Sequence, residues 1–176
     1  FQENPQLIRV VLPDSVRKVG SRAFAGCENL REVHLNDGLE ILEGNVFNGC
    51  SRLEELVLPA SLRKVHAYAF NHTSFRTPLY DRSGTILYHY PEQAPVTFFA
   101  VPQGVKRLAH GAFLGCAALE AVRLPESLEV IEREAFVNTA IRSITIPASV
   151  KAVEGFAFWN CRNLVQVELL CDGHAA

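Results

Sequence analysis

The sequence predicts an α/β-type repeat solenoid: a right-handed coil with a parallel concave β-sheet of about eight short strands, and a convex side of turns and short helical segments. Three observations predict it. An aromatic pair recurs as Ala23-Phe24, Ala69-Phe70, Ala112-Phe113, Ala135-Phe136 and Ala157-Phe158, with Val46-Phe47 in the same slot. An apolar-x-apolar triplet ends each copy, and its copies start at Val10, Val33, Leu56, Pro78, Phe99, Val122, Ile144 and Val167, an unbroken series with steps of 21 to 23 residues. The chain of 176 residues is 48% apolar and 20% charged, enough for the continuous core of a short array. A fixed period of this length marks a stacked-repeat architecture, in which one copy alone cannot bury its inward side chains.

Each element follows from local chemistry. In Leu56-Val57-Leu58 the alternation has the strand period, with two side chains directed inward and one outward. Pro59 then stops the strand because it has no N–H to donate, and Pro13, Pro102, Pro125 and Pro147 hold the same slot. Next come apolar residues three apart, such as Leu62 with Val65 and Leu128 with Ile131, on a short inward-pointing segment. The Ala-Phe pair packs a ring behind the convex wall, where Ala leaves room for the neighbouring ring. A Gly-Cys turn follows at Gly26-Cys27, Gly49-Cys50 and Gly115-Cys116, and Leu30, Leu53, Leu119 and Leu164 restart the strand. The interval of 43 residues between Phe70 and Phe113 holds one extra copy, at 80–101, that is expected to have lost its Ala-Phe element. Phe1 is in register with Phe24, so residues 1–176 are expected to be one solenoid, a piece of a longer array.

The pattern from Leu12 to Val33, Leu-Pro-x-Ser-Val-x-x-Val-x-x-x-Ala-Phe-x-Gly-Cys-x-x-Leu-x-x-Val, resembles the BspA-like (Treponema pallidum-type) leucine-rich repeat. The likeness covers nearly the whole chain, and the Ala-Phe-x-x-Cys core separates it from other leucine-rich-repeat classes. Tyr80 to Pro91 is similar to a hairpin-like element that interrupts such arrays. The resemblance implies a bacterial cell-surface or secreted protein, commonly an adhesin for host or matrix proteins or for other cells. It implies no catalytic residues. Departures are Thr73 and Thr139 in the Cys slot, and Pro78 at a strand position, which makes the fourth copy the expected weak point of the sheet.

The residue chemistry gives little support to an enzyme. Cys27, Cys50, Cys116 and Cys161 share one repeat position and Cys171 stands apart. Equivalent solenoid positions line up in a row and do not converge on one ion or face one another. Metal ligation and disulfides are therefore not expected, and buried free thiols acting as small hydrophobes are. His34, His66, His72, His89, His110 and His174 share no repeat position, and no nucleophile elbow accompanies them. Asn71-His72-Thr73 is a formal sequon expected to be an ordinary turn. Trp159 is expected to be partly buried on the convex wall. The net charge of −2 with an isoelectric point near 6.3 gives no reason to expect nucleic acid, and no apolar run reaches membrane-helix length. Neither a cofactor nor an oligomer is expected.

The concave face is the surface with a pattern. Its middle row runs Val11, His34, Val57, Leu79, Ala100, Arg123, Thr145, Glu168, and the row two residues earlier runs Arg9, Glu32, Glu55, Thr77, Phe98, Ala121, Ser143, Gln166. The candidate ligand-binding residues are Val57, Leu79, Phe98 and Ala100, with Tyr88 and Tyr90 flanking them. An apolar centre with a polar rim is how an interface looks; the other possibility is that the hairpin-like segment folds over this patch and covers it. The expected function is non-catalytic protein interaction, with an extracellular host or matrix protein as partner. The alternatives are a structural spacer and a weak glycan-binding module.

Overall fold

Residues 1–66 and 68–171 are described by the structure, a computed structural model. The chain divides into two compact units, Phe1–Ser83 and Gly84–Ala176. Unit 1 holds β1 (Arg9–Val11), β2 (Lys18–Val19), β3 (Glu32–His34), β4 (Ile41–Leu42), β5 (Lys64–Val65) and β6 (Leu79–Tyr80). Unit 2 holds β7 (Ile86–His89), β8 (Phe98–Ala100), β9 (Arg107–Leu108), β10 (Ala121–Arg123), β11 (Val130–Ile131), β12 (Ser143–Ile146), β13 (Ala152–Val153) and β14 (Gln166–Leu169).

Both units are built from parallel ladders between successive copies. In unit 1, β1 pairs with β3, and β2, β4 and β5 form a second ladder in that order. In unit 2, β8, β10, β12 and β14 form one ladder and β7, β9, β11 and β13 the other. The expected short helical segments are absent: no helix occurs among the described residues, and the second ladder stands in their place. Lys64-Val65 and Val130-Ile131 show why. The leg between the proline and the ring is too short to nucleate a helix, and its β-branched residues suit a paired strand better.

The expectation of eight concave strands also needs correction. Among the described residues seven of the eight triplets carry a strand, and Leu56-Val57-Leu58 does not. The fourth copy, with Pro78, keeps the two-residue strand β6, but among the described residues β6 pairs with no other triplet strand, so the triplet ladder of unit 1 stops after β3 and does not resume at the fourth copy.

Behind the ladders runs a column of rings. Phe1, Phe24, Phe47 and Phe70 stack in unit 1 with centroids 5.6, 5.6 and 6.3 Å apart. In unit 2, Phe113, Phe136 and Phe158 form a stack of their own, at 5.0 and 5.1 Å. The extra copy has not lost its ring. Tyr90 takes the slot, 5.2 Å from Phe113, and its N–H bonds the Ala112 carbonyl as Phe113 N–H bonds that of Ala135. His89 then occupies the Ala position and is buried. Left-handed residues bracket six of the rings, Phe24, Phe47, Phe70, Phe113, Phe136 and Phe158, two before and two after, as Arg22 and Gly26 do for Phe24 and Asn45 and Gly49 for Phe47, whereas Tyr90 has none at either place. Gly26 is suited to its place, since φ is +70° and a Cβ would come within 3.0 Å of Glu3 Cγ.

The cysteines are free, and they do more than fill space. Cys27, Cys50 and Cys161 donate to the carbonyls of Phe1, Phe24 and Phe136 in the preceding copy, at 3.1, 3.1 and 2.9 Å. Thr73 and Thr139, in the same slot, instead donate within their own copy, to Phe70 and Phe136. The thiol therefore links its copy to the preceding one, whereas the Thr139 hydroxyl meets the following copy, at Cys161 Sγ, 3.3 Å away.

Candidate functional site

Unit 1 carries an open groove of about 790 Å³ on its triplet side. One wall is β3 and the other is the segment 55–59, with Thr77 to Tyr80 and Arg82 beyond. Glu32 N–H bonds the Ile8 carbonyl and Leu12 N–H bonds the His34 carbonyl, so Glu32 and His34 turn their peptide groups toward β1. By strand alternation Val33 turns its N–H and C=O the other way, toward 55–57. Among the described residues no backbone hydrogen bond joins that edge to residues 54–58. The groove lies along this unclosed edge.

Charge favours closure between β1 and β3 and disfavours it at the next copy. Across β1 and β3, Arg9 faces Glu32 and their side chains meet at 3.2 Å. Continuing the same register by one copy would set Glu55 directly opposite Glu32. Like charges facing each other across a ladder are destabilising. Glu32 is firmly ionised: the hydrogen bond from His34, and then the charge of Arg9, hold its carboxyl below the usual carboxylate range. Glu54 is drawn off by Arg76 at 2.9 Å. Val57 is left 84% exposed in the groove, the second most exposed of the large apolar residues.

The concave side of unit 2 differs. Here β8 and β10 are closed in register, Phe98 against Ala121 and Ala100 against Arg123. Phe98 is about half exposed, and the Arg123 guanidinium lies 5.7 Å from its ring centroid. Thr145 donates to Glu168 at 3.0 Å. Polar and charged side chains dominate from β10 to β14.

The candidate residues therefore part company. Val57 and Leu79 line the unit 1 groove, Val57 exposed and Leu79 buried. Phe98 is exposed and Ala100 half-buried on β8. Tyr88 and Tyr90 do not flank a surface. Both are buried, Tyr90 between Phe99 and Phe113 at 4.5 and 5.2 Å, because the copy needs a core ring. Trp159, expected to be partly buried, is 61% exposed. The sequon is a turn, with Asn71 buried and Thr73 bonded inward. His89 is buried, and burial pushes its pKa down to about 4. His174 lies outside the described residues. Among the described residues no group of three or more His, Cys, Asp or Glu side chains could hold a metal ion, and no helix is long and apolar enough to cross a membrane. The open edge of β3 is the feature that pattern reading passed over. Its signal was present, since Glu32 and Glu55 succeed each other in one row.

The BspA type leucine rich repeat region matches residues 1–82 and 85–172, in six copies. The chain belongs to this BspA-type leucine-rich-repeat family. Among solved structures it is similar to the T. pallidum leucine-rich-repeat protein, at 28% identity and a TM-score of 0.56, covering 94% of this chain and 71% of that one. It shares its fold with the pneumococcal vaccine antigen PcpA, at 24% identity and a TM-score of 0.65, covering 93% of this chain and 51% of that one. It also shares its fold with a leucine-rich cell surface protein of Faecalibacterium prausnitzii, at 21% identity and a TM-score of 0.56, covering 93% and 60%. The chain thus spans about half the length of PcpA. No curated protein matches it.

Proposed function

We propose that this BspA-type repeat region is a non-catalytic protein-binding module of a bacterial cell-surface or secreted protein, and that unit 1 binds through its groove. The observation that carries this reading is the groove itself. It combines an unclosed strand edge, an apolar side chain left 84% exposed and a rim of charged residues that includes Arg31, Glu32, Asp37 and Glu55. Its volume of about 790 Å³ falls in the range of ligand clefts. Surface location is supported by the family and by two structural neighbours, one named as a vaccine antigen and one as a cell surface protein. Adhesion to a host or matrix protein, or to another cell, is the use that fits an exported module without catalytic groups.

The test is capture of the chain by a panel of immobilised matrix proteins and glycans, with Val57→Glu alongside and folding checked by circular dichroism. Saturable binding to a protein that is lost in folded Val57→Glu supports the module and identifies the ligand class. Binding only to glycans redirects the proposal to a lectin-like role. Absence of binding by the folded wild type favours a spacer that projects another domain.

A further inference from the structure

We propose that the free edge of β3 (Glu32–His34) takes up an extended segment of a partner protein as an added strand, selecting a basic residue between Glu32 and Glu55 and an apolar one over Val57. The inference rests on the reading of this groove as a binding site and states how it binds.

Three features of unit 1 converge on it. The first is backbone. Val33 presents one N–H and one C=O that no described backbone group meets, although Glu32 and His34 beside it are bonded to β1. A row of open main-chain groups is a template for another strand, and strand addition draws its affinity from those bonds. The second is charge. The β1–β3 ladder is closed with Arg9 set against Glu32, and the next register position offers Glu55 instead. A lysine or arginine entering there would face Glu32 on one side and Glu55 on the other. It would turn the like-charge succession across the open edge into two opposite-charge contacts. The third is spacing. His34 and Val57 lie two residues beyond Glu32 and Glu55, on the same face of their segments, and Val57 is unshielded. The occupant is therefore an extended segment that alternates, with its basic and apolar side chains two residues apart. The pattern also predicts rejection of acidic segments.

The probe is the labelled peptide acetyl-Thr-Tyr-Val-Lys-Val-Tyr-Thr-amide, symmetric about its lysine so that either strand direction presents the same face. It is titrated into the full 176-residue chain. Saturable binding is expected, weakened at least about tenfold when glutamate replaces the lysine. One of two backbone N-methylated versions, at the lysine or at both valines, should bind at least about tenfold more weakly, because alternate residues of a strand bond to alternate sides. Exchange of the Val33 amide should slow on binding. Glu55→Arg, verified as folded, should raise the melting temperature by closing the ladder within the chain, and should weaken the peptide by a similar factor.

Binding that neither N-methylated peptide weakens, with Val33 exchange unchanged, overturns strand addition but leaves a groove that binds through side chains, so the module reading stands. Equal affinity for the glutamate peptide overturns the charge selection. Failure of every peptide to bind overturns the inference as a whole. The module reading then depends on the panel above, which uses intact proteins and is independent of this probe.

Discussion

At the scale of single residues, His89 shows how one position sets the response of the chain to acid. It stands in the slot that alanine fills in most other copies, is 4% exposed, and has its pKa lowered to about 4 by burial. In the unfolded chain the same imidazole titrates near 6.5. Between these values the unfolded state binds a proton that the native state does not. Stability therefore falls as pH drops from about 6.5 to about 4, and His89 adds no further slope above or below that window. The two limits differ by about 3 kcal/mol from this group alone. Glu32, Glu43 and Glu129 act in a different window. Their pKa values are lowered by partners, His34, Lys18 and Lys151 first, so what they contribute is present above 4.5 and is lost as pH falls below it. Urea midpoints measured from pH 7.5 to 4.5 should thus decline, and His89→Leu should flatten the decline. An unchanged slope in the variant would place the titrating group elsewhere.

At the scale of the element, the ring column is the strongest consequence of the repeat. Phe47 is fully buried and stacked on two neighbours, Phe24 at 5.6 Å and Phe70 at 6.3 Å. Phe47→Ala removes the ring and leaves a cavity between copies, at a cost of about 3–5 kcal/mol. The same change at Phe1, which is 76% exposed and stacks only on Phe24 among the described rings, should cost about 1 kcal/mol or less. Comparing the two variants by chemical denaturation checks that the column, and not the count of phenylalanines, carries the stability. This element was legible in the sequence because a ring every 23 residues has no other use. Two of its features were not. Tyr90 escaped the pattern because His89-Tyr90 does not look like Ala-Phe, although the position is 23 residues before Phe113 and so in period with it. The left-handed residues two before most rings escaped too, since Arg22, Asn45, Tyr68 and Glu134 share no side-chain chemistry. A backbone requirement leaves a sequence trace only where glycine answers it, as at Gly26 and Gly49.

At the scale of the whole molecule, the repeat family and its period could be read directly, whereas the break in the unit 1 ladder could not. Periodicity reports what copies share, and the groove lies where one copy differs, with Glu55 where the register calls for a partner to Glu32. The same contrast governs the charge of the chain. Its 17 lysines and arginines and 19 aspartates and glutamates leave a net charge of only −2. Many of the pairs join consecutive copies, as Lys18 with Glu43, Arg107 with Glu132, Lys151 with Glu129 and Arg142 with Glu120. Opposite charges interleaved at this spacing cancel over a few ångströms, so the field beyond a Debye length of about 8 Å at physiological salt is weak. Exposed pairs of this kind are each worth only about 0–1 kcal/mol and are screened by salt. The melting temperature should therefore move by no more than about 3 °C between 50 and 500 mM sodium chloride. The chain should also pass through a heparin column at about 150 mM salt without retention, because polyanion binding needs a basic patch that interleaved pairs do not leave. Retention that salt reverses would reveal such a patch. It would also shift the search for a partner from proteins with basic extended segments to acidic polymers, the opposite of what Glu32 and Glu55 select.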